Sequence, residues 1–167
     1  MTIEDFAALH TSTGPLAVSN IWDAGSAAVV ARAGAKAIAT GSLSLAGSQG
    51  FEDGEVLPFD ALLATVGQVG RVCGLPLSVD VVKGYAASAE GVRDNLAKLR
   101  EAGAIGCNLE DRLIVGKGLR DVPDQCERIE AAASAGLVRQ CAHRYLPGTS
   151  DGGRGPEPGR PGRCRDR

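Results

Sequence analysis

Residues 137–167 contain no Lys, Ile or Phe and a single aromatic, Tyr145, while holding six Gly and four Pro. A segment so poor in apolar side chains cannot bury enough surface to offset its ordering entropy, and it is expected to be disordered. Its seven Arg against three acids give a net +4, in contrast to −6 over residues 1–136, where 11 Lys and Arg face 17 acids. A basic arm for nucleic acid is one meaning of such a tail. The lack of Lys, of repeats and of interleaved aromatics argues against it, and the acidic body offers no basic stripe. No apolar run approaches the length of a membrane span. The opening MTIEDFAALH is acidic and lacks the apolar core of a secretory leader, so a cytoplasmic location is expected, with neither membrane nor nucleic acid as partner. The five cysteines, Cys73, Cys107, Cys126, Cys141 and Cys164, are odd in number and lack metal-ligand spacing, which leaves buried or incidental thiols as the expectation.

What is present is a rhythm. Four times the chain runs from a strand-like segment into a helix that ends at glycine: 34, 74, 103 and 136. PLAVSNIW (Pro15–Trp22), KAIAT, PLSVDVV and AIGCNLE read as the strands. AGSAAVVARAG reads as the first helix. In PFDALLATVGQVGRVCG, Pro58 suits a first turn and Leu62, Val66 and Val69 share a face. Ser88 is a good N-cap for a helix whose Val92, Leu96 and Leu99 form one stripe, and VPDQCERIEAAASAG completes the set. Short apolar strands alternating with helices predict a parallel sheet covered on both faces, either an open doubly wound sheet or a (β/α)8 barrel. No Gly-rich fingerprint follows the first strand, which weakens the dinucleotide-binding version.

The polar residues fall at strand C-terminal ends, the rim where a parallel barrel does its chemistry. Asn20, Trp22 and Asp23 close the first strand, Thr40 to Ser42 the second, Asp80 the third, and Asn108, Glu110 and Asp111 the fourth. Asp80 and Glu110 end neighbouring strands, and Asp53 in the loop GSQGFEDGE is within reach of the same place. Carboxylates converging without His or Cys suit a hard cation such as Mg²⁺, able to chelate a 2-oxo or 2-hydroxy acid and stabilise an enolate beside its carboxylate. Strand-end acids also commonly cap the next helix or face water, and spacing alone does not separate these roles.

NIWDAGSA (Asn20–Ala27), ATGSLSLAGSQGFEDGE (Ala39–Glu55), LSVDVVKGYA (Leu77–Ala86) and GCNLEDRL (Gly106–Leu113), in this order and spacing, resemble the isocitrate lyase/phosphoenolpyruvate mutase superfamily over nearly all of residues 4–136. The resemblance implies a (β/α)8 TIM barrel, Mg²⁺, a small 2-oxo or 2-hydroxy carboxylate substrate, and C–C or P–C bond chemistry through an enolate. By position, it implies that the turn Thr40, Gly41, Ser42 holds the substrate carboxylate and that Asp80 and Glu110 are the metal-side carboxylates. It further implies that Asp53 supports them through water, that Trp22 and Asp23 line the pocket floor, and that Tyr85 contacts substrate.

The chain departs from the family pattern where a second acid usually follows Asp80 by two residues. Val82 stands there, followed by Lys83 in place of a small residue, a change expected to weaken cation binding. The loop RLIVGKGLRDVP lacks the lid cysteine that isocitrate and methylisocitrate lyases use as an acid, so the phosphonomutase-like or oxaloacetate-hydrolase-like branches fit better.

A barrel of this kind needs about 250 residues, and four βα units are half of one. The expected organisation is therefore the N-terminal half of a TIM barrel over residues 1–136, followed by a disordered tail. After Gly136 the family continues into a strand leading to Asn-Ala-Arg-Thr-Asp, but this chain reads LVRQCAHRYLPG. One codon choice for RQCAHRYLPG, shifted by a base, encodes Val-Asn-Ala-Arg-Thr-Asp-Thr-Tyr-Leu, so a frame slip near Leu137–Arg139 is expected and His143 is not assigned a catalytic role. Half a barrel leaves the first and fourth strands as open edges. The expectation is a chain with negligible turnover that self-associates or aggregates through those edges, or a non-catalytic half-barrel docking on a full-length relative.

Overall fold

The structure, a computed structural model, describes residues 3–11, 14, 16–113 and 118–142. A short helix α1 (Ile3–His10) precedes the first βα unit, β1 (Ser19–Ile21) and α2 (Ala24–Arg32). Then follow β2 (Ile38–Thr40), a short helix α3 (Ser42–Ser48), α4 (Phe59–Val72), β3 (Leu77–Asp80), α5 (Ala89–Glu101), β4 (Gly106–Glu110), α6 (Val122–Ser134) and β5 (Val138–Ala142). The five strands form one parallel sheet in chain order β1-β2-β3-β4-β5, with every neighbouring pair parallel. Sequential order with helical crossovers is the start of a barrel rather than a doubly wound sheet, whose order reverses at a switch point.

Local signals account for the elements. Ser88 accepts the Gly91 N–H as N-cap of α5, and Val92, Leu96 and Leu99 are fully buried, as their spacing predicts. Leu62, Val66 and Val69 of α4 are likewise buried. Gly34, Gly103 and Gly136 adopt left-handed φ after their helices, the geometry that ends a helix most easily at glycine.

Parallel register divides the sheet into two faces. Ile38, Leu77, Val79, Cys107 and Leu109 are buried and join residues of α2, α3, α4 and α5 in the main core. The opposite face carries Asn20, Ala39, Ser78 and Gly106 in one row, then Asp80 beside Asn108, and Glu110 one step higher. Near the base of this second face α1 seats Phe6, which is 1% exposed. A Cβ on Gly106 would stand 2.7 Å from the Phe6 ring and 3.2 Å from the Ser78 hydroxyl, so the absence of a side chain there makes room for α1.

Three expectations need correction. The ordered unit does not stop at residue 136, because Val138–Ala142 pair in parallel with Gly106–Glu110 as β5. Among the described residues the sheet edges are consequently β1 and β5, not the first and fourth strands. Cys126 is disulfide-bonded rather than an incidental thiol, whereas Cys73 and Cys107 are buried and form no disulfide. The remainder of the tail, with His143, Tyr145 and Cys164, lies outside the described residues. No helix among the described residues is long and apolar enough to cross a membrane.

Candidate functional site

The C-terminal ends of β2 and β3 are tied through side chains. Thr40, 3% exposed, accepts the Asp80 N–H on its hydroxyl oxygen at 2.8 Å. Asp80 in turn accepts the Ser42 N–H on Oδ2 at 3.2 Å and the Val82 N–H on Oδ1 at 3.0 Å. The turn at Gly41 is packed closely, since a Cβ there would lie 3.1 Å from the Asn20 amide and 3.0 Å from the Ser44 hydroxyl. Thr40, Gly41, Ser42 and Asp80 are thus brought together, with Asn20 as neighbour.

Beyond β3 the backbone turns left-handed at Val82 (φ 51°), Gly84 (96°) and Tyr85 (54°). A β-branched residue at positive φ is a true outlier, and such conformations cost about 1–3 kcal/mol and persist where the surroundings over-determine them. Here they do. The N–H groups of Val81 to Tyr85 donate in turn to Asn108 O, Asp80 Oδ1, Glu55 Oε1, Val81 O and Glu55 Oε1. The carbonyls of Val81 and Val82 accept the Gly84 and Glu110 N–H groups, and those of Gly84 and Tyr85 accept the Asn95 amide. The carbonyls of Lys83, Ala86 and Ala87 accept the guanidinium of Arg128, itself only 1% exposed. Burial pulls the Arg128 guanidinium below its ordinary pKa, and nearby Arg120 adds to that effect.

Tyr85 sits within this frame, its ring 5.6 Å from Phe59. Burial is the main cause that pushes its phenol up to about 12, followed by the charges of Glu55, Asp80 and Asp53. The phenol is therefore a neutral hydrogen-bond donor throughout the physiological range, and three carboxylates surround it closely enough to be felt. One Asp53 oxygen, Oδ1, is buried without a hydrogen-bond partner among the described residues. Glu110 is 3% exposed, and its backbone is locked to Val82. Trp22 is exposed, and Asp23 accepts the Ser26 N–H at 2.6 Å as one half of a capping box on α2, which holds its carboxyl below the usual range.

Sequence reasoning missed Glu55 and Arg128, the two charged side chains that shape this loop. The signal for Glu55 was present in EDGE, where one of three neighbouring acids follows a left-handed Gly54 and is left-handed itself. For a cation the arrangement is incomplete: among the described residues no three of His, Cys, Asp and Glu are close enough to hold a metal ion. Both Asp80 oxygens already accept backbone N–H groups, and Val82 supplies no third carboxylate. These residues do not by themselves assemble the magnesium site that the resemblance implies.

The comparisons agree with the architecture. The 2-methylisocitrate lyase of Escherichia coli (strain K12) is 31% identical over 138 residues, spanning 78% of this chain and 47% of its own length. That of Salmonella typhimurium is 30% identical over the same shares. The chain therefore spans about half the length of the curated relatives it matches. A candidate phosphonomutase of Burkholderia cenocepacia J2315 superposes with a TM-score of 0.81 at 41% identity, over 85% of this chain and 60% of that one. A phosphonopyruvate hydrolase solved with oxalate and Mg²⁺ shares the fold, with a TM-score of 0.80 at 20% identity over 86% and 53% of the two chains. The family profile of phosphoenolpyruvate phosphomutase matches residues 6–142, and the chain belongs to that family within the isocitrate lyase/PEP mutase superfamily.

Proposed function

We propose that this chain carries the N-terminal half of a carboxylate-handling active site, of the kind that makes or breaks a C–C or P–C bond on a small 2-oxo or 2-hydroxy acid through an enolate. The observation that carries the reading is the Thr40–Gly41–Ser42 turn held against Asp80, where the Ser42 N–H already donates to a carboxylate oxygen. A substrate carboxylate entering beside Asp80 would meet that N–H, the Ser42 hydroxyl and the neutral Tyr85 phenol. Hydrogen bonds to an ionised acceptor are the stronger kind, so these donors suit a carboxylate, against the repulsion of the nearby Asp80, Asp53 and Glu55 charges. On the family pattern Trp22 and Asp23 would line the floor of the same pocket.

Mg²⁺ belongs to this reading as a weak ligand. Asp80 and Glu110 would offer the acidic oxygens, with Asp53 supporting them through water, but Val82 stands where the family pattern has a second acid and Lys83 places an ammonium on the same loop. Turnover by the 167 residues alone is expected to be negligible, because the later half of the rim is not supplied by these five strands. A second reading follows from the sheet order: among the described residues β1 and β5 each have one strand neighbour, and edges left unpaired favour self-association.

The test uses the full chain with oxalate and a panel of 2-oxo and 2-hydroxy acids, with and without Mg²⁺, together with size-exclusion chromatography. Saturable oxalate binding with no conversion is the expected result. Conversion faster than about 1 s⁻¹, within the ordinary enzyme range, would overturn the half-site reading. Failure to bind any of these acids would overturn the carboxylate reading. An oligomer that binds none of them leaves the self-association reading standing.

A further inference from the structure

We propose that Glu55 and Arg128 are a pair of positioning residues that clamp the β3–α5 loop from opposite sides and thereby set Asp80 and Tyr85 for ligand. The clamp is most direct at Lys83. The Lys83 N–H is taken by Glu55 Oε1 at 2.9 Å, and the Lys83 carbonyl by Arg128 Nη2 at 2.6 Å, so a carboxylate and a guanidinium hold the two backbone groups of one residue. Glu55 then reaches forward to the Tyr85 N–H at 2.8 Å, and Arg128 to the carbonyls of Ala86 and Ala87 at 2.7 and 3.0 Å.

The choice of residue types matches the task. A carboxylate is an acceptor-only group with lone pairs enough for two N–H donors, and guanidinium is a rigid donor fork that suits several converging carbonyls. Among the described residues Arg128 makes no ion pair, although it is buried. A buried Arg bound only to carbonyls is a costly way to fill space in a helix interface, where an aliphatic side chain packs more cheaply. Its place is explained by the loop it holds, because the left-handed Val82 and Tyr85 would relax if their flanking carbonyls were released. The loop begins at Asp80, whose Oδ1 accepts the Val82 N–H, so relaxation would also loosen that carboxylate.

This inference rests on the carboxylate-handling reading only for its second readout. The experiment compares Glu55→Ala and Arg128→Met with the conservative Glu55→Gln and Arg128→Lys in the full chain. Amide hydrogen exchange is followed at residues 81–87 and, as an internal reference, in β2 and β4; oxalate affinity is measured in parallel. Glu55→Ala and Arg128→Met are expected to speed exchange in 81–87 by about tenfold or more while the reference strands change by less than about twofold, the signature of local opening. Glu55→Gln, which keeps an acceptor oxygen, should restore protection at Lys83 and Tyr85. Oxalate affinity should fall about tenfold in the two disruptive variants and recover in Glu55→Gln, a loss of about 1.4 kcal/mol by the standard conversion. Uniform acceleration across loop and strands, or no change in the loop, would overturn the proposal. If the unaltered chain binds no oxalate, the functional reading fails while the exchange arm still decides the clamp.

Discussion

Thr40 and Asp80 are joined side chain to backbone, the threonine hydroxyl oxygen accepting the aspartate N–H at 2.8 Å where the β2–β3 ladder ends. This bond aligns the end of one strand with the acid that closes the next. Thr40→Val keeps the shape and removes the acceptor, leaving a partly buried N–H unpaired. The expected cost is about 1–3 kcal/mol, read as a lower urea midpoint with an unchanged slope, whereas Thr40→Ser should retain most of the stability. A full loss in Thr40→Ser with none in Thr40→Val would place the effect in the threonine methyl rather than the hydrogen bond.

Phe6 and Gly106 form the second dependence. Because a Cβ at 106 would lie 2.7 Å from the Phe6 ring, Gly106→Ala should push α1 off the sheet or strain β4. Overpacking of this kind costs about 1–3 kcal/mol. Combining it with Phe6→Leu should recover part of the loss, because residues in contact are not additive. Thermal melts of the two single variants and the double variant measure the coupling, and strict additivity would rule out the contact as its source.

Much of this architecture is legible in the amino-acid sequence, and the exceptions have physical reasons. The glycine-terminated βα units, the Ser88 cap and the buried stripes of α4 and α5 are local signals, and they appear where periodicity places them. Helix α3 was not legible, because SLSLAGS is a single short stretch of small and serine residues without a helical apolar period. Strand β5 is not legible because VRQCA lacks the pattern of a buried strand, and its conformation comes from pairing with β4. Arg128 lies in CERIEAA, which reads as a solvated helix face; the carbonyls it binds are 41 to 45 residues away in sequence. Of the strand-end acids, Asp80 accepts the Ser42 N–H across the sheet and Asp23 serves a helix cap, a distinction that spacing alone does not make.

The Asp23 cap has a pH signature. Its folded-state pKa lies below the ordinary value of 3.8, mainly because the Ser26 N–H favours the ionised carboxylate. The cap therefore stabilises the fold above pH 4, and that contribution fades as pH falls through the lowered pKa. Asp23→Ala should cost about 1 kcal/mol at neutral pH. The stability gap between the two proteins should begin to narrow as pH falls below about 4, and a gap that stays constant down to the acid limit of folding would show that the charge is irrelevant to the cap.

The weakness expected for Mg²⁺ is reversible if its cause is the loop sequence. Val82 sits at a left-handed position between Asp80 and Lys83, and its N–H and carbonyl are fixed by Asp80 and Glu110. Val82→Glu adds a carboxylate to this fixed backbone, and Lys83→Gly removes an ammonium from the same loop. One added charge contact at 4 Å is worth about 1 kcal/mol at the dielectric of water and about 4 kcal/mol at an effective value of 20. The double variant should therefore bind Mg²⁺ at least about fivefold more tightly than the unaltered chain in isothermal titration at fixed ionic strength, because Mg²⁺ is held by carboxylates. Each single variant should give an intermediate gain. If the double variant gains nothing, the limiting factor is not the charge of residues 82 and 83, and the missing ligands must come from side chains outside this loop.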